Sequence, residues 1–91
     1  MMMSENDQRM ELGRVIGKNI RRLRDEAGLS QRAFAEIVQN AGLNAWSTAR
    51  LSNAETSRQP LNAVFELVGF KKVFERLLDR PVSLDEFFTE E

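Results

Sequence analysis

The sequence predicts an all-α fold: a single compact domain of five helices with a short C-terminal helical turn. Apolar residues recur at steps of three and four along most of the chain, which is the period of one face of an α-helix. Glycine and proline residues separate these segments, and no segment shows the alternation that is typical of a strand. A chain of 91 residues buries enough surface for one hydrophobic core and little for a second. We therefore expect one domain.

The composition argues against several kinds of functional site. The chain contains neither Cys nor His, so the usual zinc ligands, the thiolate nucleophile and the commonest general base are missing. The carboxylates, lysines and hydroxyls that remain lie in no catalytic motif. We therefore expect no enzyme activity, no metal site and no cofactor.

The N-terminal residues and the hydropathy pattern favour a soluble protein. No run of about 18 apolar residues occurs, and residues 1–7 are too acidic and polar for a signal peptide. We expect a cytoplasmic protein with no membrane partner. Residues 1–9 lack apolar periodicity and are predicted to form a disordered N-terminal segment, which leaves 10–91 for the domain.

Charge is distributed unevenly although the net charge is only -1. Residues 9–32 hold seven basic and three acidic side chains, whereas residues 79–91 hold five acidic side chains and one arginine. This dipolar pattern suits a protein that turns one end toward phosphate groups. A solvated charged face explains either segment equally well.

The first two helices are predicted from periodicity and from their end signals. Helix 1 is expected over 10–27, where apolar residues recur at helical spacing. Gly28 is typical of the left-handed residue that follows a helix, and Ser30 is a good N-cap. Helix 2 is therefore expected over 31–40.

The remaining helices are less sharply bounded. Helix 3 begins at Asn44 or at Ser47, since both residue types cap helices, and it ends near Ala54. After Pro60, apolar residues predict helix 4 over 61–68, and after Gly69 they predict helix 5 over 70–78. Ser83 and Glu86 match a capping box at the start of a short last turn.

Two segments carry a resemblance to a known family. Residues 28–38, GLSQRAFAEIV, and 47–55, STARLSNAE, resemble the helix-turn-helix of the Cro and phage-repressor-like (Xre) family. Arg24 precedes Gly28 by four residues, as an arginine does in that family. Residues 82–88, VSLDEFF, look like its terminal helix. The resemblance implies a compact helix-turn-helix domain that binds double-stranded DNA.

The resemblance also implies which side chains contact DNA. The expected DNA-binding residues are Gln31, Arg32, Ser47, Thr48, Ala49, Arg50, Asn53 and Arg58. Arg50 and Asn53 are the expected base readers, because Arg pairs with guanine and Asn with adenine through two hydrogen bonds. Gln31 is expected to meet a phosphate at the start of helix 2, and Arg58 to contact the DNA backbone. Gln31 as a simple helix-start residue and Arg50 as a surface or phosphate-contacting side chain remain alternatives.

Other positions are expected to be structural. The resemblance implies an ion pair between Arg24 and Glu55 that joins helix 1 to the end of helix 3. The turn between helices 2 and 3 is about six residues longer than the family's usual turn. Within it, Trp46 is expected to pack as a plug rather than to contact a base.

The expected function is that of a transcriptional regulator, most simply a repressor. It would bind an inverted-repeat operator as a homodimer, and would lie on the nucleoid when bound. The expected dimer surface lies in the C-terminal half, with Phe74, Leu78, Phe87 and Phe88 as its candidate residues. The alternative is that these residues complete the core of one chain. The alternative is an antitoxin-like or other protein-interaction module whose DNA binding serves autoregulation.

Overall fold

The part of the chain that the structure describes consists of helices joined by turns and loops. The structure is a computed structural model and describes residues 4–56, 58–59, 61 and 64–90. Over these residues the α-helices are α1 (Glu5–Glu26), α2 (Gln31–Asn40), α3 (Thr48–Glu55) and α4 (Val64–Leu78), followed by a 3₁₀ turn, Leu84–Phe87. The described residues form no strand. Their radius of gyration is 12.9 Å, close to the roughly 12 Å of a globular domain of this length. The all-helical, compact prediction is confirmed.

Helix α1 begins earlier than the apolar pattern predicts. The Ser4 side chain accepts a hydrogen bond from the backbone N–H of Asp7 at 3.1 Å, so it caps a helix whose first turn is acidic. Carboxylates near a helix N-terminus interact favourably with the helix dipole. The prediction of disorder through residue 9 is therefore wrong for residues 5–9, and residues 1–3 lie outside the described part. Polar residues can therefore lengthen a helix beyond the segment with apolar periodicity when an N-cap stabilises its first turn.

The junction between α1 and α2 forms as the sequence predicts. Gly28 has a φ of 72°, and its N–H donates to the carbonyl of Asp25, while the N–H of Leu29 donates to the carbonyl of Arg24. These two bonds form a Schellman motif, which satisfies the last carbonyls of α1. The Ser30 side chain then accepts from the Ala33 N–H and caps α2. The expected bounds of helix 2, 31–40, are confirmed.

A second Schellman motif closes α2 and opens the long turn. Gly42, with a φ of 105°, donates its N–H to the carbonyl of Gln39, and the Leu43 N–H donates to the carbonyl of Val38. The turn ends at Ser47, whose side chain accepts from the Arg50 N–H and caps α3. Of the two predicted starts for helix 3, the one at Ser47 is therefore the observed one. The longer turn is an ordered loop and not an extension of either helix.

Helices 4 and 5 are a single helix, α4, and the prediction of a break at Gly69 is wrong. A Cβ at this position would lie 2.9 Å from the Cδ1 of Leu43, which comes from the turn between α2 and α3. Gly69 therefore provides space for a neighbouring side chain inside a continuous helix. Pro60 and residues 62–63, near the expected start of helix 4, lie outside the described residues.

An aromatic cluster forms the centre of the core. Phe34 of α2 stacks on Phe74 of α4, with ring centroids 4.8 Å apart, and Phe70 packs edge-on against Phe34. Trp46, 1% exposed, closes one side against Phe70, and Phe87 of the 3₁₀ turn closes the other against Phe74. The expectation that Trp46 packs as a plug is confirmed. Phe74 and Phe87 are fully buried, so they complete the core of one chain, and the prediction that they form a dimer surface is wrong.

Candidate nucleic-acid interface

Helix α3 lies directly against α1, and Gly17 sets their separation. A Cβ at Gly17 would be 2.2 Å from the carbonyl oxygen of Ala54, which is far closer than such atoms approach. The two backbones meet here because Gly17 has no side chain. Helix α3 therefore has one face fixed on α1, and Leu51 and Ala54 are buried on that face.

The C-terminal end of α3 is fixed by a buried polar network. The guanidinium of Arg24 donates to both carboxylate oxygens of Glu55, at 2.8 and 3.0 Å, and to the carbonyl of Leu29 at 2.8 Å. The hydrogen bond from Arg24 to Glu55 raises the pKa of Arg24, so this side chain stays charged. The ion pair that the family resemblance implies is confirmed. It joins the last turns of α1 and α3.

Gln31 belongs to the same network. Its side-chain amide donates to Glu55 at 3.0 Å, and the residue is half-buried at the start of α2. The amide is thus held inside the protein rather than extended toward DNA. The phosphate contact predicted for Gln31 is therefore left to its backbone N–H in the first turn of α2.

The N-terminal turn of α3 is the exposed part of the predicted site. Ser47, Thr48 and Ala49 are exposed, whereas Arg50 and Asn53 are half-buried. Because the opposite face and the C-terminal end are fixed on α1, these positions form the outer surface of a short helix. An α-helix presented in this way has the width that the major groove of B-DNA admits.

Arg50 has partners inside the protein. Its guanidinium carbon lies 4.2 Å from the centre of the Trp46 ring, and its Nη1 donates to the carbonyl of Gln59 at 2.7 Å. The indole N–H of Trp46 in turn donates to the carboxylate of Glu66 on α4. The expected base-reading arginine is thus stacked on a buried ring.

The two other arginines of the predicted site are exposed. Arg32 lies in the first turn of α2, where its only described ion pair is with Glu36 at 3.9 Å, one turn along the helix. Such a pair is weak because both side chains remain in water. Arg58 follows α3 and is also exposed. The eight predicted residues therefore lie at the start of α2, on α3 and its cap, and on the residues described after α3.

Sequence reasoning missed three participants in this arrangement. Gly17 carried a weak signal, since a glycine inside a helical pattern often has a packing reason. Gln59 and Glu66 carried none, because they act through a backbone carbonyl and through a contact between distant segments.

Two acidic side chains of α1 are paired with arginines. Arg14 pairs with Glu11, and Arg80 joins Glu26 of α1 to Glu86 of the 3₁₀ turn, with bonds of 3.0–3.1 Å. The hydrogen bonds from Arg80 lower the pKa of Glu26 and of Glu86. The acidic C-terminal segment is therefore folded back onto the basic N-terminal helix.

Comparisons with known proteins find no family model that matches this chain, and neither a curated protein nor a solved structure that is similar to it. Among the described residues, none of the helices has the length and apolar character needed to cross a bilayer. The same residues contain no group of three or more acidic side chains placed to hold a metal ion.

Proposed function

We propose that this protein binds double-stranded DNA sequence-specifically through α2 and α3 and acts as a transcriptional regulator, most simply a repressor. The observation that carries the proposal is the way in which α3 is held in the fold. Its C-terminal end is fixed by the buried pair of Arg24 and Glu55, while its N-terminal turn is exposed. A short helix held at one end and exposed at the other suits insertion into a major groove. No enzyme activity is part of this proposal.

The predicted residues divide into base and phosphate contacts. Thr48, Ala49 and Asn53 would face the bases, because short polar or small side chains on the first turns of a recognition helix reach base edges. The exposed Arg32 and Arg58 would contact phosphates on either side. Phosphate contacts of this kind make affinity strongly dependent on salt.

A homodimer would supply the second half-site. With Phe74 and Phe87 in the core, the exposed apolar side chains near the C-terminus are Phe88 and Leu84, and Phe88 lines a shallow cleft together with Leu12 of α1. Two recognition helices on one inverted repeat lie about 34 Å apart, and burial of Phe88 and Leu12 between two copies is the contact that would join them. Sedimentation with and without operator DNA tests the dimer, and Phe88→Asp should weaken it.

The experiment that tests DNA binding uses a charge reversal on α3. Ala49→Glu places a carboxylate on the exposed turn of α3, which would lie in a groove bordered on both sides by phosphates, and it should reduce affinity for duplex DNA at low salt by more than ten-fold. The control is Asn40→Glu, which makes the same charge change at the C-terminal end of α2, away from the proposed contacts at the start of that helix. Equal binding by both variants and the wild type, measured by fluorescence anisotropy, would contradict the proposal.

A second candidate function rests on a different surface. Val64 and Phe65, at the start of α4, are 72% and 73% exposed. Large apolar side chains exposed side by side are typical of protein-binding sites. This feature favours an antitoxin-like or other protein-interaction module as the alternative. Phe65→Ser should abolish partner capture and leave DNA binding unchanged if both functions exist.

A further inference from the structure

The backbone of Gln59 is bound to α3 at two points. Its N–H donates to the carbonyl of Asn53 at 3.1 Å. Its carbonyl accepts from the guanidinium of Arg50 at 2.7 Å. Both backbone groups of this residue are therefore satisfied by α3, and Gln59 lies beside the helix. Because Arg58 directly precedes Gln59, the same two bonds also place its backbone. Arg58 itself is exposed.

Arg50 is itself held in position. The ring of Trp46 lies 4.2 Å from its guanidinium carbon, a distance at which a cation and an aromatic face attract each other. Trp46 is buried. Its indole N–H donates a hydrogen bond to the Glu66 carboxylate. Its backbone carbonyl accepts a hydrogen bond from the Gln39 side chain at 2.9 Å. The arginine thus rests on a ring that α2 and α4 both fix. To reach a base it would have to lose the stacking and the hydrogen bond together.

We propose that Arg50 is a positioning residue: stacked on Trp46, it holds the Gln59 carbonyl and so places Arg58 beside α3 as a phosphate contact. The phosphate role of Arg58 rests on the proposed DNA binding, but the positioning itself does not. This assignment replaces the expected role of Arg50 as a base reader. Discrimination between bases then falls to Thr48, Ala49 and Asn53.

The first test needs no DNA. Trypsin cleaves after Arg58, and cleavage requires that the segment detach from α3, so the cleavage rate reports the population of the detached state. Arg50→Ala should accelerate cleavage at Arg58 by about ten-fold or more, because a charge-assisted hydrogen bond is lost. Arg9→Ala, on an exposed part of α1, is the control. Unchanged cleavage at Arg58 in Arg50→Ala would overturn the proposal whether or not the protein binds DNA.

The second test measures the salt dependence of binding to duplex DNA. Arg58→Ala should lower the slope of log K against log salt by about 0.9, the value for one phosphate contact. Arg50→Ala should lower it by the same amount, and the double variant by no more than either single variant. Equal and non-additive losses support the proposal, whereas additive losses overturn it.

Two further measurements separate the competing roles of Arg50. Arg50→Lys keeps the cation but lacks the planar guanidinium. If it keeps the wild-type salt slope while Arg58 is cleaved rapidly, Arg50 contacts phosphate directly and the proposal fails. A change in the sequence selected by Arg50→Ala from random DNA would show base contact and would also overturn it. If the wild type binds no DNA, the proposed function and the role of Arg58 fail together, even where cleavage shows that Arg50 holds the segment.

Discussion

Arg24 and Glu55 form a two-point ion pair across 31 residues of sequence, with N–O distances of 2.8 and 3.0 Å and side chains that are only 10% and 2% exposed. Gln31 adds a third hydrogen bond to the same carboxylate. The end of α1, the start of α2 and the end of α3 are therefore joined at one point. This network fixes the end of α3 relative to α1 and α2.

Loss of one partner of this pair should be strongly destabilising. Arg24→Ala leaves the Glu55 carboxylate buried with only the amide of Gln31, and the free energy of unfolding should fall by about 3 kcal/mol or more. Arg21→Ala removes an exposed arginine whose distance to Asp25 is 4.0 Å, and it should change stability by less than about 0.5 kcal/mol. Urea denaturation measures both. A loss below about 1 kcal/mol for Arg24→Ala would show that the pair does not hold α3.

The two helical glycines that make close contacts should differ in their response to alanine. Gly17→Ala forces a methyl group onto the Ala54 carbonyl and should cost about 1–3 kcal/mol or more, because two helix backbones must separate. Gly69→Ala meets only the end of the Leu43 side chain, and its higher helix propensity offsets that contact. Gly69→Ala should therefore be close to neutral. Thermal unfolding followed by circular dichroism separates the two outcomes, and equal losses would refute the close approach of α1 and α3.

Stability should fall in acid through the cluster around Arg80. The pKa values of Glu26 and Glu86 lie below their ordinary value of 4.5 because Arg80 donates hydrogen bonds to both. A carboxyl with a lowered pKa in the folded state contributes stability above its unfolded pKa and loses it as the pH falls through the folded pKa. The wild type should therefore lose more stability than Arg80→Met between about pH 5 and pH 3. Parallel pH profiles of the two proteins in urea would contradict this.

Base and phosphate contacts should be separable by mutation. Asn53→Ala should change which base is preferred at one operator position, by about 1–3 kcal/mol of discrimination. Arg32→Ala should weaken binding to all sequences alike and lower the salt slope by about 0.9. Titration of a set of operator variants at several salt concentrations measures both effects. The assignment of roles is wrong if Asn53→Ala weakens all sequences equally.

Local sequence signals are sufficient to predict where α2 begins, which is the first part of the candidate interface. Gly28 and Ser30 determine the α1–α2 junction through backbone bonds within a few residues, so the sequence predicts it correctly. The Arg24–Glu55 pair was predictable only through a family resemblance, because no local pattern relates positions 31 residues apart. The caps of α3 left two starts open, and tertiary packing of Trp46 accompanies the one at Ser47.

Tertiary contacts explain where the sequence misled. Gly69 has the local signature of a helix end, yet it lies inside α4. A glycine is suited to this position because the Leu43 side chain occupies the space beside it. Phe74 and Phe87 are apolar in any sequence pattern, and the pattern cannot distinguish a core from a dimer surface. The partners of Arg50 are a ring and a carbonyl, neither of which has a sequence signature.

Selection of duplex DNA from a random pool by the purified wild-type protein at low salt tests sequence-specific recognition. We expect enrichment of an inverted repeat whose half-sites lie about one helical turn apart. We also expect binding to this sequence to exceed binding to random duplex by at least about 10³-fold. Recovery of unrelated sequences with no common motif, by a protein that is folded at the time of the experiment, would contradict sequence-specific recognition through α3.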